Sequence, residues 1–196
     1  MLQTPWGYQV DDLPPLVGDD EFAAATGYKW DCNGGTDAAI AAASAAIRNY
    51  CGWHVSPVLG CTAKLTARGR VAAIPAKMVV SIESVSENGA ELSPGQYEAR
   101  ADGLLRRACF RNWTGRWEGI EVAYEAGFDP SAVPDIAQAC IHLAEAALAA
   151  PAGVASESAG GVSVSYSTAS ASVAAAMTPA IREAIAPYRL VSSHAA

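Results

Sequence analysis

The sequence predicts an α+β protein: a small helical core of about four helices, an inserted antiparallel β meander and an extended C-terminal arm. Three observations carry this. Two alanine-rich stretches, near 37–53 and 134–149, repeat apolar residues at helical spacing. Between them, residues 58–126 hold short β-prone runs broken by Asn-Gly and Asp-Gly turn pairs. Beyond the second helix, residues 152–177 turn to alanine, serine and glycine. The expected organisation is one domain over 1–196. Within it lie a β-rich insertion at 58–126, a flexible arm with one strand at 152–177 and a closing helix at 178–190.

The first 35 residues read as irregular, with Pro5, Pro14 and Pro15, except for one short helix. Asp19 can cap that helix, Asp20 and Glu21 suit its positive end, and Gly27 can stop it. Thr36 or Asp37 can cap the next one. Ile40, Ala43, Ile47, Tyr50 and Cys51 share its apolar stripe, and Gly52 with Pro57 marks its exit. Alanine at 38, 39, 41, 42, 43, 45 and 46 makes it thin enough to pack closely against a neighbour, within the chain or from another subunit.

In the insertion, Leu65, Val71 and Ile74 lie in short β-prone runs. Residues 78–85 form the strongest strand, with Val80, Ile82 and Val85 set against Ser81, Glu83 and Ser84. Asn88-Gly89 and Asp102-Gly103 supply hairpin turns, and strands at 96–100, 104–108 and 120–125 follow. Pro134 can open the second long helix without losing a hydrogen bond. Its face is Ala137, Cys140, Ile141, Ala144 and Leu148. In the arm, Val162, Val164 and Tyr166 alternate with serines, a strand that needs a sheet edge to join. Thr178-Pro179 starts the last helix, and Tyr188 and Arg189 close the ordered part.

Composition narrows the function classes. The chain has 196 residues, 51% hydrophobic and 17% charged, a globular balance. No run approaches the roughly 18 apolar residues of a membrane span, so no membrane association is expected. The first ten residues lack the basic and apolar regions of a secretion signal. Five scattered cysteines, an odd number, suit reduced thiols in a cytoplasm. The net charge of −7 argues against a free nucleic-acid binder. That charge is uneven. Residues 1–60 hold two basic and seven acidic side chains, 61–118 nine and six, and 119–196 two and seven.

Chemistry-bearing motifs are few. Cys51 and His54 stand three apart, with Cys61 or Cys32 as a further metal ligand, but paired zinc spacing is missing. As a nucleophile pair they lack a nameable orienting acid. The simpler reading is a helix end: Gly52 as cap, Trp53 packing down and His54 near the negative end of the dipole. His142 with Glu145 reads as a helix surface. Gly160-Gly161 lacks the Lys-Ser/Thr of a phosphate loop. No catalytic residue, metal site or cofactor is expected.

The insertion gathers Arg68, Arg70, Arg100, Arg106, Arg107, Arg111 and Arg116 with Trp113 and Trp117. Of these, Arg106, Arg107, Arg111, Trp113 and Arg116 are the candidate interface or DNA contacts. Arginine and tryptophan hold nucleic acid, anchor protein interfaces, or simply decorate a solvated sheet. The sequence leaves all three open.

Residues Ala43-Ser44-Ala45-Ala46-Ile47-Arg48-Asn49-Tyr50-Cys51-Gly52-Trp53-His54-Val55-Ser56-Pro57 resemble the helix and exit of tailed-phage head–tail connector proteins, also called adaptor or head-completion proteins. Val122-Ala123-Tyr124-Glu125-Ala126-Gly127-Phe128 and Val133-Pro134 resemble their last strand, turn and second helix. Val162-Ser163-Val164-Ser165-Tyr166-Ser167 and Ile185-Ala186-Pro187-Tyr188-Arg189 resemble their C-terminal arm and end. The matches span about 19–190. The signature residues are Ile47, Tyr50, Cys51, Gly52, Trp53 and Pro134.

The resemblance implies a non-enzymatic protein of the virion neck, made in the host cytoplasm. It implies a ring, commonly of twelve subunits, under the portal protein. That ring extends the channel for genomic DNA and gives a stopper or tail-completion protein its landing surface. Val162, Val164, Tyr166, Tyr188 and Arg189 are the expected partner-binding residues. The rival readings are another neck or tail-completion protein, a small cytosolic metal or thiol enzyme, and a DNA-binding protein.

Overall fold

A computed structural model describes residues 1–30, 35–149, 156–159, 162–165 and 173–190. The chain is α+β, and all its sheets are antiparallel. It divides into two compact units, a β-rich one (1–14, 51–132 and 188–196) and a helical one (15–50 and 133–187).

The β-rich unit holds β1 (Leu2–Gln3), β2 (Tyr8–Val10), β3 (Leu59–Leu65), β4 (Val71–Ala73), β5 (Val79–Glu87), β6 (Ala90–Glu91), β7 (Tyr97–Ala99), β8 (Leu104–Arg107) and β9 (Ile120–Ala126). Six form one sheet in the order β1-β2-β3-β9-β5-β6, and β4-β8-β7 form a second. The expected meander is therefore modified. The last strand, β9, inserts between β3 and β5, and the segment read as irregular supplies β1 and β2. The reason lies in β9. Its Ile120, Val122, Tyr124 and Ala126 put one buried face over the core, and its main chain is paired along both edges, with β3 on one side and β5 on the other. Cys61 pairs with Tyr124, and Ala63 with Val122 across β3, while Val85 faces Val122 across β5.

Two register shifts in β5 change its expected inward face. Val79 and Val85 are buried, whereas Val80 is 52% exposed. The Asn88-Gly89 turn forms as expected, with φ of 54° and 80°. Gly127 has φ 129°, and a Cβ there would overlap the Pro57 carbonyl, so only glycine fits where β9 leaves the sheet.

The helical unit holds α1 (Asp19–Ala25), α2 (Gly35–Cys51, its last residue counted in the β-rich unit), α3 (Pro134–Ala149) and α5 (Pro179–Ile185). The single turn α4 (Val173–Ala176) and a hairpin, β10 (Ser156–Ala159) with β11 (Val162–Ser165), complete it. Thr36 and Asp37 lie in the first turn of α2 rather than capping it, because the helix starts at Gly35. Asp19 likewise sits inside α1, whose N-cap is Gly18.

Ile40, Ala43, Ile47, Ile136, Ala139, Cys140, Leu143, Ala144 and Ile185 are buried at helical spacing. Two polar groups on the α2 stripe are also buried. Ser44 Oγ accepts from Leu16 N–H at 3.0 Å and lies 3.5 Å from Cys140 Sγ, and Arg48 is 3% exposed. Thr178 caps α5, its Oγ1 accepting from Ile181 N–H at 3.3 Å, with Pro179 at the first helical position.

The strand expected to stand alone in the arm has a partner. Val162 pairs with Ala159 and Val164 with Glu157. A lone strand leaves its main-chain groups unpaired, and folding back on 156–159 satisfies one edge locally.

Candidate interaction site

The residues around the end of α2 converge in the β-rich unit. Gly52, at φ 78°, ends the helix, and Cys51 O accepts from Leu190 N–H at 2.7 Å. Trp53 is fully buried, and its Nε1–H donates to Tyr188 O at 2.8 Å. Its ring meets Phe128 edge-on at 5.8 Å, and Phe128 meets Tyr188 at 5.6 Å. Tyr188 thus ties the segment after α5 to Trp53 and Phe128.

His54 is fully buried rather than poised at a helix end. Its backbone N–H donates to Tyr8 Oη at 2.9 Å, and its Nδ1 lies 2.8 Å from the same oxygen. Its Nε2 lies 2.8 Å from Ala126 O. A carbonyl can only accept, so Nε2 carries a proton. The Tyr8 hydroxyl then donates to Nδ1. Both ring nitrogens are engaged inside the fold. Burial pushes the Cys51 thiol up to about 12 and the Cys61 thiol to about 12, so neither is a thiolate at neutral pH. The Cys51–His54 pair has no free nucleophile and no free base. Among the described residues, no group of three or more His, Cys, Asp or Glu side chains is placed to hold a metal.

The arginine cluster splits by burial. Arg107 is 6% exposed, and its guanidinium contacts Glu87 at 3.1 Å and donates to Gln96 O at 2.7 Å. It lies 5.5 Å from the ring centre of the buried Trp113. Arg106, next along β8 and so on its other face, is exposed and pairs with Glu98. Arg100 pairs with Asp102. Arg68, Arg70, Arg111 and Arg116 are exposed and form no ion pair among the described residues. Of these, Arg116 lines a cleft of about 380 Å³, with Asn88, Gly89, Trp117, Glu118 and Glu121 among others.

The other sequence-predicted residues are dispersed. Ile47 is in the helical core, and Tyr50 Oη donates to Arg182 O at 3.3 Å. Pro134 is exposed at the start of α3, and Arg189 is exposed. Val162 and Val164 lie in β11, and Tyr166 lies outside the described residues. Sequence reasoning missed Tyr8, Glu87 and Phe110, and met Phe128 only as the last residue of the 122–128 run. The alternation around Tyr8 and Val10 was the only available signal, and it covers three residues.

Buried thiols and an imidazole engaged at both nitrogens leave no reactive pair at the end of α2, while four arginines, Phe110 and Trp117 stay exposed. The family model described as "Head completion protein" matches residues 20–191, and the chain belongs to that family. Its members are structural components of the virion, not enzymes. Two solved structures share the fold at 18% identity. They are described as "Neck of empty GTA particle computed with C6 symmetry" (TM-score 0.64) and "Neck of native GTA particle computed with C12 symmetry" (TM-score 0.63). Each comparison covers 96% of this chain and 98% of the other. No curated protein sequence matches the chain.

Proposed function

We propose that this head completion protein is a ring-forming component of the neck. It docks beneath the portal protein, extends the DNA channel and presents the surface on which a stopper or tail-completion protein lands. The observation that carries this reading is the likeness, over nearly the whole chain, to a protein solved in necks treated with sixfold and twelvefold symmetry. Family membership supports it independently. The net charge of −7 also suits a wall past which DNA slides without sticking.

Electron microscopy of the purified protein, alone and mixed with portal from the same phage, tests the proposal. Rings stacked on the narrow end of the portal are expected. Intact portal that recruits no protein would overturn it in favour of a site further down the tail.

The arm belongs to the same proposal. Val162, Val164 and Tyr166, with Tyr188 and Arg189 beyond α5, make the contact with portal or a neighbouring subunit. The β10–β11 pairing supports strand addition at the hairpin's outer edges. Replacing residues 156–165 with a Gly/Ser linker, while keeping 173–190, should weaken portal binding. Unchanged binding would rule the hairpin out as that contact.

A further inference from the structure

Segments 66–70 and 108–119 of the β-rich unit are laced into one platform. Trp113 N–H donates to Gly69 O at 2.9 Å and Gly115 N–H to Ala67 O at 3.0 Å. Glu118 N–H donates to Thr66 Oγ1 at 2.9 Å, and Thr114 N–H to Glu87 Oε1 at 2.8 Å. The fold consumes Arg107 and Trp113 internally. It leaves Arg68, Arg70, Arg111 and Arg116 outside, together with Phe110 at 85% exposure and Trp117 at 81%.

Phe110 is held there by structure. Cys109 and Phe110 both have positive φ, 55° and 59°, a conformation costly for side chains of this size. The Arg70 guanidinium stacks 4.6 Å from the Phe110 ring centre. Apart from that stack, two large aromatics kept in water beside guanidiniums without ion pairs bury no surface for an isolated chain. They have the composition of interface anchors.

We infer that this platform is the subunit-to-subunit contact of the ring, seated on the acidic helical unit of a second copy of the chain. The inference rests on the ring reading above. Charge selects the occupant. The helical unit carries three basic and nine acidic side chains, a net −6. The β-rich unit carries ten and eleven, a net −1, with its unpaired arginines gathered on the platform. Two platforms meeting face to face would set arginine against arginine. Platform against helical unit is complementary and heterologous, the kind of contact that repeats around a ring. Duplex DNA is a poorer occupant, because its stacked bases offer nothing to Phe110 and Trp117.

The test uses the full chain, with and without portal, and reads ring yield by electron microscopy and sedimentation. The doubles Arg111→Glu/Arg116→Glu and Phe110→Ala/Trp117→Ala change exposed side chains only, and circular dichroism checks that each folds. Both should lower ring yield roughly tenfold or more, as loss of interface anchors does. Wild-type association should weaken as salt rises. A benzophenone amino acid in place of Trp117 should cross-link, on irradiation of wild-type-like rings, to residues 15–50 or 133–187 of another copy. Cross-links to portal, DNA or the β-rich unit would overturn the inference. So would rings formed by the folded doubles at wild-type yield, which would leave the neck reading intact. Failure of the wild type to form rings even on portal would overturn both.

Discussion

Tyr8 supports two buried groups with a single hydroxyl. It accepts the His54 N–H at 2.9 Å and pairs with His54 Nδ1 at 2.8 Å. Tyr8→Phe strands both inside a site that water does not reach. The expected loss is about 1–3 kcal/mol in urea denaturation, the cost of a buried polar group without a partner. Arg106 and Arg107 make a second contrast at this scale. Arg107→Ala leaves Glu87 without its buried cation and should cost about 3 kcal/mol. Arg106→Ala removes a pair exposed at 52% and 59%, and should cost less than about 1 kcal/mol. Parallel thermal melts compare the two. The sequence places these arginines side by side. Strand alternation says that they point to opposite faces, but only the packed sheet decides which face is covered.

Among the elements, α3 spans the expected 134–149, while α2 runs 35–51 instead of about 37–53. Both contain an apolar stripe several turns long, and that signal survives small errors at the ends. β1 and β2 were not legible, because two- and three-residue strands carry almost no periodicity and exist only through pairing, β2 with β3 and β1 with β2. In β5, alternation misled at Val80 because the register shifts re-aim the side chains. The turn after β9 offers a sharp test. Gly127→Ala forces a Cβ into the Pro57 carbonyl at φ 129° and should cost about 3 kcal/mol by chemical denaturation. Gly60→Ala, where a Cβ meets open space, is the control.

Across the whole molecule, the cysteines report packing. Cys51, Cys61 and Cys140 are buried, with thiols pushed up by burial, whereas Cys109 is exposed. Alkylation of the native protein near pH 8, mapped by mass spectrometry, should modify Cys109 and spare Cys51, Cys61 and Cys140 until the chain unfolds; Cys32 lies outside the described residues. The same burial predicts alkaline instability. In the unfolded chain these thiols ionise near 9.0, and in the folded chain Cys51 and Cys61 ionise at about 12. Below 9 both states are protonated and the stability is fully present. As pH rises from 9 towards 12, only the unfolded chain gains from ionisation, so stability is lost. Thermal midpoints should be flat up to pH 9 and fall above it.

The sequence by itself determined the α+β class, both long helices, the hairpin turns at Asn88-Gly89 and Asp102-Gly103, and the family. Each is encoded locally, in a period, a turn pair or a run of adjacent residues. Tertiary structure alone decided the insertion of β9 between β3 and β5. It alone joined Tyr8, Trp53, His54, Phe128 and Tyr188, and separated buried Arg107 and Trp113 from exposed Phe110 and Trp117. These depend on which distant segments meet, and no local pattern records the partner across a sheet.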